Sequence, residues 1–148
     1  MVYLPQAIIP VLFGLVVIYL KSTGALSPDP AAAETFQIIL FSLIPVGIIA
    51  GFVIYKQKIG TIPSTLTLRE KIKALQVAIL IRAACLEMPA FFGGIVSFLS
   101  GDLIYLLSTA LMVILLLYFR PTAASICEDL QLSEGERIVL MSPDAVIE

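Results

Sequence analysis

Histidine and tryptophan are absent from the 148 residues, and only two cysteines are present. Without histidine there is no imidazole to ligate a metal or act as a general base. No nucleophile–base constellation, metal-ligand spacing or phosphate-binding loop occurs either. The chain is therefore expected not to be an enzyme and to need no cofactor. Cys85 and Cys127 do not suggest a disulfide framework. Charge is also scarce, at 14% of residues against about a quarter in a soluble domain. With 59% of its residues apolar, a soluble fold would expose large greasy patches, which monomers rarely tolerate. These shortages exclude a soluble enzyme, a secreted disulfide scaffold, a nucleic-acid binder and a disordered linker. What is left is an integral membrane protein, with the lipid bilayer as its first partner.

Long apolar runs are what the chain has in place of charge. A helix needs about 20 mostly apolar residues to cross ~30 Å of hydrocarbon. Four segments qualify: Leu4–Leu20, Thr35–Tyr55, Leu75–Leu99 and Leu103–Phe119. Their apolar character is continuous rather than alternating, which predicts helices and not a barrel. The expected fold class is all-α, with four transmembrane helices arranged as two hairpins. Residues 1–120 form the membrane domain and 121–148 a short acidic tail. Thr67-Leu-Arg-Glu70 is a capping-box pattern, so the third helix is expected to start near Leu68, before the membrane, and to run to Leu99. Ile126, Leu130 and Leu132 among acids predict a short amphipathic helix in the tail, and 141–148 is expected to fray.

Orientation follows from lysine and arginine. The second connection holds Lys56, Lys58, Arg69, Lys71 and Lys73 against Glu70 alone, whereas the first holds Lys21 against Asp29 and Glu34. The positive-inside rule puts the second connection, and with four spans both termini, in the cytoplasm. No Lys or Arg precedes the first apolar run, which argues against a cleaved signal. Pro10–Leu20 also echoes Pro89–Leu99 at an offset of 79, with Pro, Phe, Gly, Val and Leu coinciding. A parallel tandem duplication of a helical hairpin would produce such an echo.

Only Arg82 and Glu87 place charge inside an apolar segment. A charged group there costs at least ~2.5 kcal/mol, so each calls for a reason. Counting 1.5 Å per residue from Leu75 places Arg82 about 10 Å inside the hydrocarbon and Glu87 about 18 Å inside, near the midplane. They lie about 140° apart around the helix, a poor arrangement for an intrahelical pair, so each is expected to find a partner on another helix or subunit. At helical spacing the Glu87 face reads Ala83, Glu87, Ala90, Gly94, Ser97, Gly101, a seam of small residues suited to close helix packing. Gly47-x-x-x-Gly51, with Ala50 beside it, is a matching surface on the second span. Desolvation disfavours a carboxylate's charged form, so an acid in such a seam is suited to take up and release a proton or cation. Pro89 has no N–H for the Cys85 carbonyl, which makes that oxygen a second candidate ligand.

The stretch Glu87-Met-Pro-Ala-Phe-Phe-Gly-Gly-Ile-Val-Ser-Phe-Leu99 resembles the ion-binding helix of rotary ATPase c-type proteolipids. In that pattern an acid is followed by a small residue three on, an aromatic five on, a glycine six on and then an aliphatic run. Glu87, Ala90, Phe92, Gly93 and Ile95-Val96 occupy those places. The resemblance implies that Glu87 binds a proton or sodium ion and that the chain works as a homo-oligomer or within a larger membrane complex. The Arg-Gln/Asn-Pro of the proteolipid polar loop is absent from 56–73, and Arg82 is foreign to the pattern. The whole chain is also similar to small four-helix bacterial membrane proteins, which implies the bacterial cytoplasmic membrane. The alternative expectation is a non-catalytic scaffold or accessory subunit that uses Arg82 and Glu87 for helix association.

Overall fold

Short polar side chains start most of the helices. The computed structural model describes residues 3–63 and 65–141, and no strand occurs among them. The helices are α1 (Tyr3–Ser22), α2 (Pro30–Gly60), α3 (Leu68–Ser100), α4 (Leu106–Tyr118), α5 (Ala123–Asp129) and α6 (Glu134–Met141). A 3-10 turn, Leu103–Tyr105, leads into α4. Asp29 caps α2 by accepting from the Ala32 amide at 3.2 Å, with Pro30 just inside the helix. Such a proline needs no N–H partner there and presets φ. The expected capping box at α3 is present: Thr67 Oγ1 accepts from the Glu70 amide, and the Glu70 carboxylate accepts from the Thr67 amide at 3.0 Å. These Thr67 hydrogen bonds hold the Glu70 carboxyl below its ordinary pKa. Gly101 ends α3 at φ +69°, a left-handed conformation that glycine adopts without penalty.

α2 and α3 are each long and apolar enough to cross a bilayer, so the chain is a helical membrane protein. α4 reaches that length only together with α5, across a bend of 75°. α1 is apolar but shorter over its fully described part, Gln6–Ser22. By length and composition there are thus two spans, or three with the bent pair, where the sequence runs suggested four. At 33 residues α3 is about 50 Å long, well beyond the ~30 Å of a hydrocarbon core.

α3 is the central helix, packing against α1, α2 and α4, while α1 also packs against α4. Among the described residues, the consecutive helices α1 and α2 share no substantial interface, because α3 intervenes. The expected first hairpin is therefore not formed. The Asp29 amide donates to the Leu99 carbonyl at 2.8 Å, fixing the start of α2 beside the end of α3. That end is called here the opposite end; the end bearing the α2–α3 connection is the basic end.

Residues 142–148, most of the stretch expected to fray, lie outside the described residues. The tail before them is two short helices, α5 and α6, rather than one. Cys127, Leu130 and Leu132 are buried in one apolar cluster with Tyr55, Leu75, Ala78 and Ile79 at the basic end. Lys71, only 6% exposed, pairs with Glu136 at 2.8 Å and ties α6 to α3. Glu136 uses its other oxygen to cap α6, accepting from the Ser133 amide at 2.9 Å.

Candidate functional site

Helical geometry divides α3 into three working faces. At about 100° per residue, Cys85, Pro89, Arg82 and Phe92 lie on one face, and Glu87 points about 200° away from Cys85. α2 covers the first of these faces. A Cβ added at Gly47 would sit 2.6 Å from the Cys85 carbonyl oxygen and 3.1 Å from Pro89 Cγ. A Cβ at Gly51 would lie 3.5 Å from the Arg82 carbonyl. The Gly47/Gly51 surface is real, but it closes on the Cys85 face and not on the Glu87 seam. The carbonyl freed by Pro89 is therefore covered by α2 and is not brought together with Glu87.

The seam expected as one packing surface is shared between two helices. α4 takes Ala90 and Gly93: Thr109 Oγ1 donates to the Ala90 carbonyl at 2.7 Å, and any side chain at Gly93 would collide with Ser108 and Thr109. Ser97 Oγ donates to the Asp102 carbonyl at 2.9 Å, securing the turn into α4. α1 takes Gly94, where the Phe13 ring occupies the space of an absent Cβ and stacks on Phe91 at 4.8 Å between centroids. Ala83 and Ala90 are fully buried on either side of Glu87, while Glu87 itself is half-buried.

The register of α1 on α3 is fixed by Phe13 at Gly94. The two helices run in the same direction, and Phe13 lies on Gly94. Gln6 is seven residues before Phe13, and Glu87 is seven before Gly94. Seven residues is nearly two turns, so this register puts Gln6 at about the level of Glu87, about 10 Å nearer the basic end. Gln6 Oε1 is buried and has no hydrogen-bond partner among the described residues. No ion pair or hydrogen bond of Glu87 forms among the described residues either. Pro10 cannot donate to the Gln6 carbonyl four residues back, so Gln6 brings a side-chain oxygen and a main-chain oxygen freed of its helical bond to one place. Gln6 was missed in the sequence reading. Its signal was available: it is the only amide side chain in the first apolar run, and it lies four residues before a proline.

Arg82 is occupied within the chain. It is 7% exposed, its Nη2 donates to the Phe119 carbonyl at 2.6 Å, and its guanidinium lies 3.8 Å from the Tyr55 ring centroid. The Tyr55 hydroxyl donates in turn to Asp129 Oδ2 at 2.6 Å. One cation thus joins α2, α3, the end of α4 and, through Tyr55, the tail. Arg82 and Glu87 do not pair.

α4 stops level with Arg82, and from Arg82 to the end of α3 at Ser100 is 18 residues, about 27 Å. That length by itself nearly fills the ~30 Å of hydrocarbon. Glu87 lies a further five residues, roughly one and a half turns or about 7 Å, along α3 from Arg82. Leu75, Ala78 and Ile79 belong to the apolar cluster that also holds Cys127, Leu130 and Leu132 of the tail.

Among the described residues, no group of three or more His, Cys, Asp or Glu is placed to hold a metal ion. A cleft of about 220 Å³ opens between the end of α2 and α5, but Lys71 and Asp129 on its walls are already bonded to Glu136 and Tyr55. The fold and its polar positions thus define a helical membrane protein whose central helix carries one carboxyl group left without a strong partner. No protein family, curated protein or solved structure matches the chain.

Proposed function

We propose that this is a small multi-pass membrane protein that binds a proton or monovalent cation at Glu87, with Gln6 as the facing group. Two observations support the reading: Glu87 is half-buried and Gln6 Oε1 is buried, neither has a hydrogen-bond partner among the described residues, and the α1–α3 register puts both at about one level. A protonated Glu87 donates to Gln6 Oε1. With the amide turned over, its N–H groups donate to a charged Glu87. A cation, in turn, can draw on the carboxylate, Gln6 Oε1 and the Gln6 carbonyl freed by Pro10. Such an acid near the hydrocarbon boundary would exchange with the basic side, which the lysine and arginine bias assigns to the cytoplasm. In this reading α1 and α4 also cross the membrane, short as they are, and both termini are cytoplasmic. The likeness to c-type proteolipids supports an oligomer in the bacterial cytoplasmic membrane and rests on residues 87–99 alone.

A hydrophobic carbodiimide tests this. It adds to a protonated carboxyl group in a water-poor site, so Glu87 should be the one acid labelled in membranes. Labelling should fall as pH rises, and sodium should protect if the site takes a metal cation. Gln6→Leu should change the pH at which labelling is half-maximal while leaving the fold intact. Absence of labelling at Glu87 in membranes across pH 5–9 would sink the reading.

A non-catalytic scaffold is the second reading, favoured by the way Arg82 ties three helices and the tail together inside one chain. In that case Glu87→Gln would weaken assembly, as native mass spectrometry of the purified protein would show. Ion binding predicts an unchanged oligomer.

A further inference from the structure

α3 has one face that no other helix covers. At about 100° per residue, Gly94, where the Phe13 ring of α1 sits, lies roughly 20° to one side of Glu87. Ala90 and Gly93, against Thr109 and Ser108 of α4, continue on that side, and Cys85 and Pro89, against α2, lie on the far side of α3. The remaining arc, about 20–100° to the other side of Glu87, holds Leu80, Ala84, Met88, Phe91 and Phe98, all exposed. α1 and α2 flank this arc without a substantial interface between them, so α1, α3 and α2 stand in a row with α4 behind. Ala84, Phe91 and Phe98 follow one another at seven-residue intervals along the uncovered face, the spacing of a seam between two supercoiled helices. Apolar side chains dissolve in lipid, so the stripe alone names no occupant. Glu87 borders it, half-buried and without a hydrogen bond or ion pair among the described residues. Lipid tails offer a carboxyl group neither donor nor acceptor, and acids within membrane spans almost always face the interior of an assembly, where they pair with one another or with carbonyls.

We propose that a second copy of this chain packs on the uncovered face of α3, across a two-fold axis along the membrane normal, with the two Glu87 side chains meeting at the interface. The lysine and arginine bias inserts every copy in the same orientation, so the two α3 helices run parallel. Each interface residue is then level with its own counterpart, as a two-fold interface requires. In that setting a carboxyl group is complementary to itself: protonated it donates, charged it accepts, and one proton joins the two. The shared proton rests on the reading of Glu87 as a proton-binding acid, and names the partner of that site.

Disulfide cross-linking in membranes tests this, in the full chain with its own cysteines replaced (C85A/C127A). L80C and A84C should each give a covalent dimer on oxidation with copper phenanthroline. L107C and I114C, exposed on α4 behind the row, should not. Absence of dimer at both α3 positions would overturn the proposal, and so would equal yields at all four, which random collision produces. E87A should weaken the dimer by about 5- to 30-fold, the range for an interhelical hydrogen bond in a membrane, read by diluting the protein into excess lipid. An undiminished dimer would overturn the meeting of the two Glu87 side chains. Carbodiimide labelling of Glu87 without cross-linking would overturn the interface and leave the ion site standing in a monomer. Cross-linking without labelling would uphold the interface and overturn the proton-binding reading.

Discussion

Replacing Arg82 sets two opposing effects against each other. A guanidinium in an apolar span is costly to insert, up to ~2.5–3.5 kcal/mol at its centre. Buried ion sites elsewhere can be exchanged for apolar side chains without loss. On that ground alone Arg82→Leu would be neutral or stabilising. Against it stand the contacts: a charge-assisted hydrogen bond to the Phe119 carbonyl and a face-on stack with Tyr55. The hydrogen bond contributes roughly 1.5–3 kcal/mol, and a partly desolvated cation–π contact ~1–2 kcal/mol. A long arginine can reach back toward the interface, which lowers the insertion cost, so the contacts should prevail and Arg82→Leu should destabilise by about 2–4 kcal/mol. Arg82→Lys keeps a donor for Phe119 but loses the planar stack, and should cost about half as much. The assay is thermal unfolding in detergent, followed by reactivity of the Cys127 thiol, which is 2% exposed in the fold. Cys85→Ala in the background leaves a single reporter. At roughly 2–4 °C per kcal/mol for a chain of this size, the leucine variant should melt about 10 °C lower and the lysine variant about 5 °C lower. A leucine variant as stable as the wild type would refute the view that Arg82 holds the basic end together.

Gly47→Leu should push α2 away from α3, since even a Cβ would come within 2.6 Å of the Cys85 carbonyl; a loss of about 1–3 kcal/mol is expected in the same melt. Tyr55→Phe removes the donor to Asp129 and should loosen the tail by about 1–2 kcal/mol, read as faster amide exchange in α5 with α2 and α3 unchanged. Tail docking should also depend on pH. The Lys71 hydrogen bond, followed by those from Ser133, lowers the Glu136 pKa from 4.5 to about 2. A carboxyl group depressed on folding contributes its full stability above its unfolded pKa and loses it as pH falls toward the folded one. Amide exchange over residues 134–141 should therefore accelerate between about pH 4.5 and 2, and Glu136→Gln should remove that step.

Much of the helical layout could be read from local pattern. The Thr67–Glu70 capping box needs only four neighbouring residues, so the start of α3 at Leu68 was legible directly. Gly101 and Pro121 similarly limit α3 and α4. The exceptional status of Arg82 and Glu87 followed from composition, because any charge in an apolar run carries a desolvation cost wherever the helix packs. What could not be read was which helix covers which face. Gly47 and Gly51 make a close-packing surface against any helix, and nothing local says that it meets Cys85 rather than Glu87.

The sequence by itself therefore determined the class, the start of α3 and the two charges that need explaining. Only the tertiary structure decided their partners. It put α3 between α1 and α2, turned Cys85 away from Glu87, and buried the Gln6 side-chain oxygen at about the level of Glu87, 81 residues away in sequence. It also drew Cys127, Leu130 and Leu132 of the tail into the apolar cluster that holds Leu75 and Ala78. The physical reason is the same in each case. Helix formation and lipid solubility are decided by residues within a few turns of one another, whereas the partner of a buried polar group is decided by packing among whole helices.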